Sequence, residues 1–250
     1  MKIPGLIPLI YIIYSTSVYA DFRDGGQAYL RGDYEAAAKE FIPLSERGDH
    51  RAMYALGSMY SAGHGVEKDL KKSFALFSEA AQNGRADAMY KLGLMYEQGQ
   101  GIKQNTKKAA RFYHKSAKQG YPLGQYRFGL MYMKGFGVKQ SPVNAYAWLV
   151  IAGHYFIYET AVSIDENNEF IDDNKHQLLL FQQQEKDKIF DDITRHLQAL
   201  LEKMSPDDME KTKEKVIKLS KYRKNYHAAR IKNLKIESSI ENLFLPDTLY

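Results

Sequence analysis

The sequence predicts an all-α protein, a solenoid of helix-turn-helix repeats closed by a C-terminal helical cap. Three observations predict it. The stretch LGSMYSAGHGVEKD at Leu56–Asp69 returns as LGLMYEQGQGIKQN at Leu92–Asn105 and as FGLMYMKGFGVKQS at Phe128–Ser141, each 36 residues after the one before. A fixed period of this length marks a repeat array in which each unit buries its apolar face on its neighbour. Within each unit the apolar residues follow helical spacing, and glycines stand at the helix ends and turns.

The glycines first raise another possibility, a phosphate-cradling loop. Such a loop ends in Gly-Lys-Ser/Thr or follows a strand as Gly-x-Gly-x-x-Gly. Here Gly63-His64-Gly65 leads into Val66-Glu67-Lys68, no β-branched run precedes it, and the pattern occurs in triplicate. Nucleotide binding is therefore excluded in favour of structural punctuation.

Residues 1–20, MKIPGLIPLIYIIYSTSVYA, carry Lys2, an apolar stretch from Ile3 to Tyr14 broken by Pro4 and Pro8, and Val18-Tyr19-Ala20 as a small-residue cleavage site. They read as a secretory signal peptide cut after Ala20. The alternative, an uncleaved anchor, is disfavoured because the run falls short of the ~20 residues that span a bilayer. The expectation is an exported protein, periplasmic or secreted. The chain has no cysteine, which excludes disulfides, thiolate metal sites, a cysteine nucleophile and a lipid anchor at the cleavage point.

Residues 21–48 form a shorter unit in the same register, an N-terminal capping repeat with Asp33 standing 36 residues before Asp69. Pro43 in its second helix is expected to cost a backbone hydrogen bond and bend the helix. Full repeats occupy 49–84, 85–120 and 121–156. In helix A of the first, Met53, Leu56, Met59 and Tyr60 share the apolar face, and Gly63 sits where the helix end needs a left-handed residue. Helix B begins after Asp69, Asn105 or Ser141, three residues whose short side-chain oxygens suit an N-cap, and Pro142 fills the first helical position of the third. A further glycine recurs inside helix A at 57, 93 and 129. It should cost about 1 kcal/mol relative to alanine, so its recurrence predicts close helix–helix approach.

These residues resemble the Sel-one-like repeat family, α-solenoids related to tetratricopeptide repeats, through the pattern Ala…Leu-Gly…Met-Tyr…Gly-x-Gly-Val…Asp…Ala-Ala…Gly. The resemblance covers Asp21 to about Gly153 and implies a right-handed α/α superhelix without catalytic function. LEKMSPDDMEK at Leu201–Lys211 looks like the Lys-Met-Ser/Thr-Pro helix junction that comes after the last repeat in exported bacterial members. Two features depart from the family. Residues His154 to Lys175 match nothing in its pattern, and the penicillin-binding, cysteine-rich branch is excluded by the lack of cysteine.

In the third unit Ser78 and His114 give way to Val150, and Glu79 and Lys115 to Ile151, so this helix B is expected to be covered by the C-terminal part of the chain. An insertion loop is expected at 157–175, a helical hairpin cap at 176–235 and a tail at 236–250. Ile189, Phe190, Ile193, Leu197, Leu200, Leu201 and Met204 share one helical face, and Ser205-Pro206-Asp207-Asp208 starts the second helix of the hairpin. The acidic stretch Asp165–Asn174 lacks the glycine and terminal glutamate of a calcium loop. No paired histidines occur, and Asp191 and Asp192, adjacent on a helix, diverge. The sequence thus predicts no catalytic site, no metal and no cofactor.

Comparing the units isolates the positions that the fold leaves free. In helix A they are 51/55/58/62, 87/91/94/98 and 123/127/130/134, spaced i, i+4, i+7, i+11 and so on one face. This face presents Arg51, Ala55, Ser58 and Ala62, then Asp87, Lys91, Leu94 and Gln98, then Leu123, Arg127, Leu130 and Lys134. By resemblance the A helices line the concave surface, so the face is the expected site for a protein or peptide partner. The plainer reading is a solvated face tolerant of substitution; against it, Leu94, Leu123 and Leu130 would be exposed apolar groups. The recurring tyrosines at 54, 90 and 126 read as core rather than ligand stackers. A second hypothesis starts from the net charge of +5. Between Lys211 and Lys235 ten Lys or Arg stand against Glu214 alone, which suggests an anionic polymer, of the envelope or nucleic acid, bound through Lys213, Lys218, Lys221, Arg223 and Lys224.

Overall fold

The computed structural model describes the backbone of residues 22–162 and 173–227, and the side chains of 22–156 and 184–220. The signal peptide expected at 1–20, most of the acidic stretch and the tail lie outside the described residues. Among the described residues there are ten helices and no strand: α1 (Phe22–Leu30), α2 (Tyr34–Glu46), α3 (His50–Ala62), α4 (Leu70–Gln82), α5 (Ala86–Gln98), α6 (Thr106–Lys118), α7 (Pro122–Lys134), α8 (Pro142–Val162), α9 (Asp173–Leu201) and α10 (Pro206–His227). They form an all-α helical repeat whose chain divides into two compact units, Met1–Ala88 with Gln100–Ile102 and Met89–Gly99 with Lys103–Tyr250.

In the first unit α1 packs on α2, α2 on α3 and α3 on α4, around Ala37, Phe41, Ala52, Leu56 and Met59. The side chains of the predicted N-caps take up the orphan amides at the helix starts. Asp33 accepts from the Ala36 N–H at 3.1 Å, and Asp69 from those of Lys71 and Lys72 at 2.9 and 3.0 Å. Asp49 does the same for Arg51 and Ala52. The helix-A glycine meets its predicted contact: a Cβ at Gly57 would lie 3.1 Å from Phe77. The capping repeat has the same device, because a Cβ at Gly25 would lie 2.7 Å from Phe41.

In the second unit α6 and α8 pack on α7, and α8 also packs on α9 and α10. Asn105 caps α6 through the Lys108 N–H at 2.9 Å, and the Ser141 hydroxyl caps α8 through the Asn144 N–H at 3.3 Å. The glycine contacts repeat, with Gly93 facing Tyr113 and Gly129 facing Leu149. Every residue of α8 from Ala145 to Ala152 is buried, as a helix must be when it is apolar all round. Val150 and Ile151 are therefore covered, as their apolar character predicts, and their burial stabilises the unit by about 1.5–3 kcal/mol each. The covering residues include Ile193 and Leu200 of α9 and Val216 and Leu219 of α10, with Ile189, Phe190, Leu197, Leu201 and Met204 packed against them. The insertion is not all loop: α8 continues to Val162 and α9 already begins at Asp173.

The second glycine of each Gly-x-Gly loop does more than turn the chain. Gly65, Gly101 and Gly137 all have positive φ, and a Cβ on any of them would run into the backbone carbonyl of Tyr34, Leu70 or Thr106. Those three residues are the first of α2, α4 and α6, so each loop closes down on the start of the preceding helix B. Only glycine allows that approach.

Candidate interaction surface

The face of helix A that varies between repeats differs in character between the two units. In the first unit Arg51 is exposed, and Ala55, Ser58 and Asp87 are half-buried. Much of its polarity is turned inward. Arg51 pairs with Asp49 at 2.7 Å and lies 4.8 Å from the centre of the Phe22 ring. The Ser58 hydroxyl donates to the Tyr54 carbonyl at 3.0 Å. Asp87 pairs with Arg85, whose guanidinium sits 5.0 Å above Tyr54. The Arg51 hydrogen bond and the Arg51 and Ala52 amides hold the Asp49 carboxyl down at about 2, against the opposing effect of burial.

In the second unit Gln98 and Lys134 are exposed, and Lys91, Leu94, Leu123 and Arg127 are half-buried. Leu130 departs from expectation. It is 9% exposed and belongs to the core cluster of the second unit, which also takes in Ile193 and Leu200 of α9; one turn before it the Tyr126 hydroxyl donates to Asp192 of α9. Leu94 and Leu123 pack against the core edge while keeping part of their surface.

A polar network runs beneath these leucines. The Arg127 guanidinium lies in the field of Tyr90, Tyr113 and Glu97. The Tyr113 hydroxyl donates to the Glu97 carboxylate at 2.5 Å. Asp192 pairs in addition with Arg195 and His196, both at 3.2 Å. Burial, and then the Glu97 hydrogen bond, push the Tyr113 hydroxyl far above its ordinary value. Burial followed by Asp192 does the same to Tyr126. Burial works against the Arg127 charge, but the phenols and Glu97 outweigh it and strengthen proton retention. Tyr113, Tyr126 and Arg127 are thus each driven further from neutrality, so these three side chains supply hydrogen bonds and fixed charge rather than a proton to transfer near pH 7.

The reading of the tyrosines as core holds for Tyr90, which is buried, while Tyr54 and Tyr126 are half-buried. Glu97 and Asp192 were not singled out by the repeat comparison. A signal for Glu97 existed: it is the single acid between Asp87 and Glu159. On α10 three of the described lysines have local partners, Lys213 with Glu210 at 3.5 Å and Lys218 with Glu214 at 3.7 Å, and Lys211 with Asp207. A charge count that starts at Lys211 leaves out Asp207 and Glu210, which lie one turn earlier. The side chains of Lys221, Arg223 and Lys224 lie outside the described residues.

Comparison with known proteins adds a match to a repeat model. The Sel1 repeat matches residues 50–84, 86–121 and 122–153. A stretch of 61 residues is 36% identical to a Rhizobium leguminosarum bv. viciae protein described as an exopolysaccharide production negative regulator, covering 24% of this chain and 23% of that one. Among solved structures, a Sel1 repeat protein from Oxalobacter formigenes superposes with a TM-score of 0.51 at 26% identity, over 60% of this chain and 64% of the other. A protective antigen of uropathogenic Escherichia coli strains that displays an SLR fold gives a TM-score of 0.54 at 23% identity, over 80% of this chain and 37% of its own. The chain thus spans less than a quarter of the curated relative and less than two thirds of either solved chain.

Proposed function

The chain carries three Sel1 repeats, and on that premise we propose that it is an exported, nonenzymatic scaffold that binds a protein or peptide partner through the variable face of its A helices. Sel1 repeat proteins generally mediate protein–protein interaction and are typically non-catalytic, and a relative over one short stretch is described as a regulator. The observation that carries the reading lies in the second unit. Arg127, half-buried and in the field of Tyr90 and Glu97, is accompanied on this variable face by the half-exposed Leu94 and Leu123, with the half-buried Tyr126 next to it in sequence. Tyrosine and arginine are the residues enriched where protein interfaces concentrate their binding energy. An arginine already half-buried also loses less freedom on binding. Lys91, Gln98 and Lys134 are then the surrounding contacts in this unit, and Arg51, Ala55, Ser58 and Asp87 form the corresponding face of the first unit, taken by itself.

Export rests on the residues of 1–20 alone. The alternative reading, an anionic polymer on α10, is weakened for its described part by the carboxylates already paired with Lys213 and Lys218. No helix among the described residues is long and apolar enough to cross a membrane.

One experiment addresses both parts of the proposal. Protein recovered from the periplasm or medium is expected to begin at Asp21 and to carry its partner through photo-crosslinking from position 98. Leu94→Asp is expected to weaken that capture at least tenfold, a loss of about 1.4 kcal/mol or more, with the thermal midpoint little changed. Full-length protein held in the membrane would refute export. A Leu94→Asp variant that captures normally, or that unfolds, would refute the surface.

A further inference from the structure

We infer that the outer face of α6 is a docking surface for an acidic polysaccharide, a polymer of sugars bearing carboxylate or sulfate groups. From Gln98 to Tyr158 the chain contains Lys103, Lys107, Lys108, Arg111, Lys115, Lys118, Arg127, Lys134 and Lys139 and not one acidic residue. Five of these are on α6, and all five are exposed. Glu97, the acid just before this stretch, is already engaged by Tyr113 and lies in the field of Arg127.

The helix carries this charge against its own stability. Lys107, Arg111 and Lys115 stand at i, i+4 and i+8, where like charges repel. Lys107 and Lys108 lie in the first turn, at the positive end of the helix dipole, where acids are favoured. Lys115 and Lys118 suit the last turn, but that rationale does not reach the first. Lys107 and Lys108 repeat Lys71 and Lys72, and Lys108 over Tyr96 repeats Lys72 over Tyr60, but the repeat does not demand the charges further along. Arg111 stands where the other repeats have Ala75 and Ala147, and Lys115 where they have Glu79 and Ile151. A run of like charges that extends beyond what the repeat requires, at a local cost, is what a binding surface leaves behind.

Two of the lysines are held in place. The rings of Tyr96 and Phe112 stack with centroids 5.5 Å apart and planes 11° from parallel. The Lys108 ammonium sits 5.2 Å from the Tyr96 centroid and that of Lys115 5.6 Å from Phe112. From Lys107 to Lys118 the charges extend along roughly 16 Å of helix. The field reaches His114, whose imidazole is pushed down by burial and then by Lys118.

The chemistry of the face selects among polyanions. The centre of a protein interface is depleted in lysine, whereas four of the five charges here are lysines and no exposed large apolar residue stands among them. A membrane-surface helix must sink its apolar face into lipid, but Ala109, Ala110, Tyr113 and Ala117 are buried in the protein. Single-stranded nucleic acid is gripped by open aromatic faces on which bases stack, and Tyr96 and Phe112 are stacked on each other and topped by lysines. A polysaccharide with regularly spaced acids needs only the charges, and it gains by releasing its counterions.

The test is a titration of the full chain with polygalacturonate and with heparin between about 50 and 200 mM salt, where polyanion binding falls steeply. The wild type is expected to bind both, with log K falling linearly against log salt. Lys107→Gln, Arg111→Gln, Lys115→Gln and Lys118→Gln together are expected to lose at least tenfold at the lowest salt and to flatten the slope. Glutamine keeps helix propensity and removes the like-charge repulsion, so the thermal midpoint should not fall. Lys213→Gln, Lys218→Gln and Lys221→Gln together, and Leu94→Asp alone, are expected to bind within twofold of wild type. Unchanged binding by the α6 variant would overturn the proposal, as would a loss confined to the α10 variant. So would tighter binding of a single-stranded oligonucleotide or of phosphatidylglycerol vesicles than of either polysaccharide.

Discussion

Replacing Gly93 with alanine puts one carbon where the repeat leaves no room for it. The new Cβ would lie 2.5 Å from both Cδ1 and Cε1 of Tyr113 and 3.1 Å from its Cγ. That ring is fully buried, and its hydroxyl is tied to Glu97, so it cannot swing aside without giving up a hydrogen bond. Two effects oppose each other. Alanine is the better helix former by about 1 kcal/mol, while overpacking a close contact costs about 1–3 kcal/mol. At Gly57 the same carbon would meet Phe77 at 3.1 Å, a contact that a small ring shift relieves, so gain and cost nearly cancel. At Gly26, in α1, it would meet nothing within 4 Å, and the gain survives whole. Urea titrations read as midpoints at constant slope should therefore place Gly26→Ala above wild type, Gly57→Ala close to it and Gly93→Ala below it by up to about 2 kcal/mol. Tyr113→Leu supplies the cross-check, since leucine stands at this place in the third repeat as Leu149. Combined with Gly93→Ala it should cost less than the two losses added, by about 0.5 kcal/mol or more. Strict additivity, or a Gly93→Ala variant as stable as Gly26→Ala, would refute the contact argument.

Two further outcomes are expected. The Ser73 hydroxyl is buried without a hydrogen-bond partner among the described residues, and alanine occupies its place at 109 and 145. Ser73→Ala should thus raise thermal stability by up to about 1 kcal/mol, and a loss would reveal a hidden partner. The Asp49 carboxyl has its folded pKa at about 2, below the ordinary 3.8. Its stabilisation is therefore present above about pH 4 and is lost as the pH falls towards 2. Its surface exposure limits the effect, so Asp49→Asn should cost about 1 kcal/mol or less at neutral pH and nothing at pH 2. An equal loss at both pH values in chemical denaturation would point to packing instead.

The helices, their caps and the glycine contacts were legible because the same steric demand is met in each unit with the same type of residue. Asp69, Asn105 and Ser141 differ in name but share an oxygen at one reach from the backbone. The Gly25 contact escaped because the loop of the capping repeat is shorter: Phe41 keeps the 36-residue register with Phe77, and the glycine opposite does not. Leu130 was misplaced for a related reason. Its face is open by the rule of the earlier repeats, and α9, which shares its core cluster, has no counterpart there. The network of Arg127, Glu97 and Tyr113 is assembled from three helices, so no spacing along the chain could announce it. The α10 lysines show the opposite hazard, a charge count whose window began one helical turn too late.

The loop glycines carry a consequence for how such a chain can change length. Gly65, Gly101 and Gly137 each meet the carbonyl of the residue 31 positions earlier, Tyr34, Leu70 and Thr106. The interval is the same at all three, so the chain is ruled like a measuring tape whose marks must coincide. An excision or duplication of a whole 36-residue period leaves every remaining glycine opposite a helix start, whereas a shift of even one residue within the interval sets a side chain or a different carbonyl against it. Growth and loss by whole periods are thus the changes in length that this backbone accepts without rebuilding its loops.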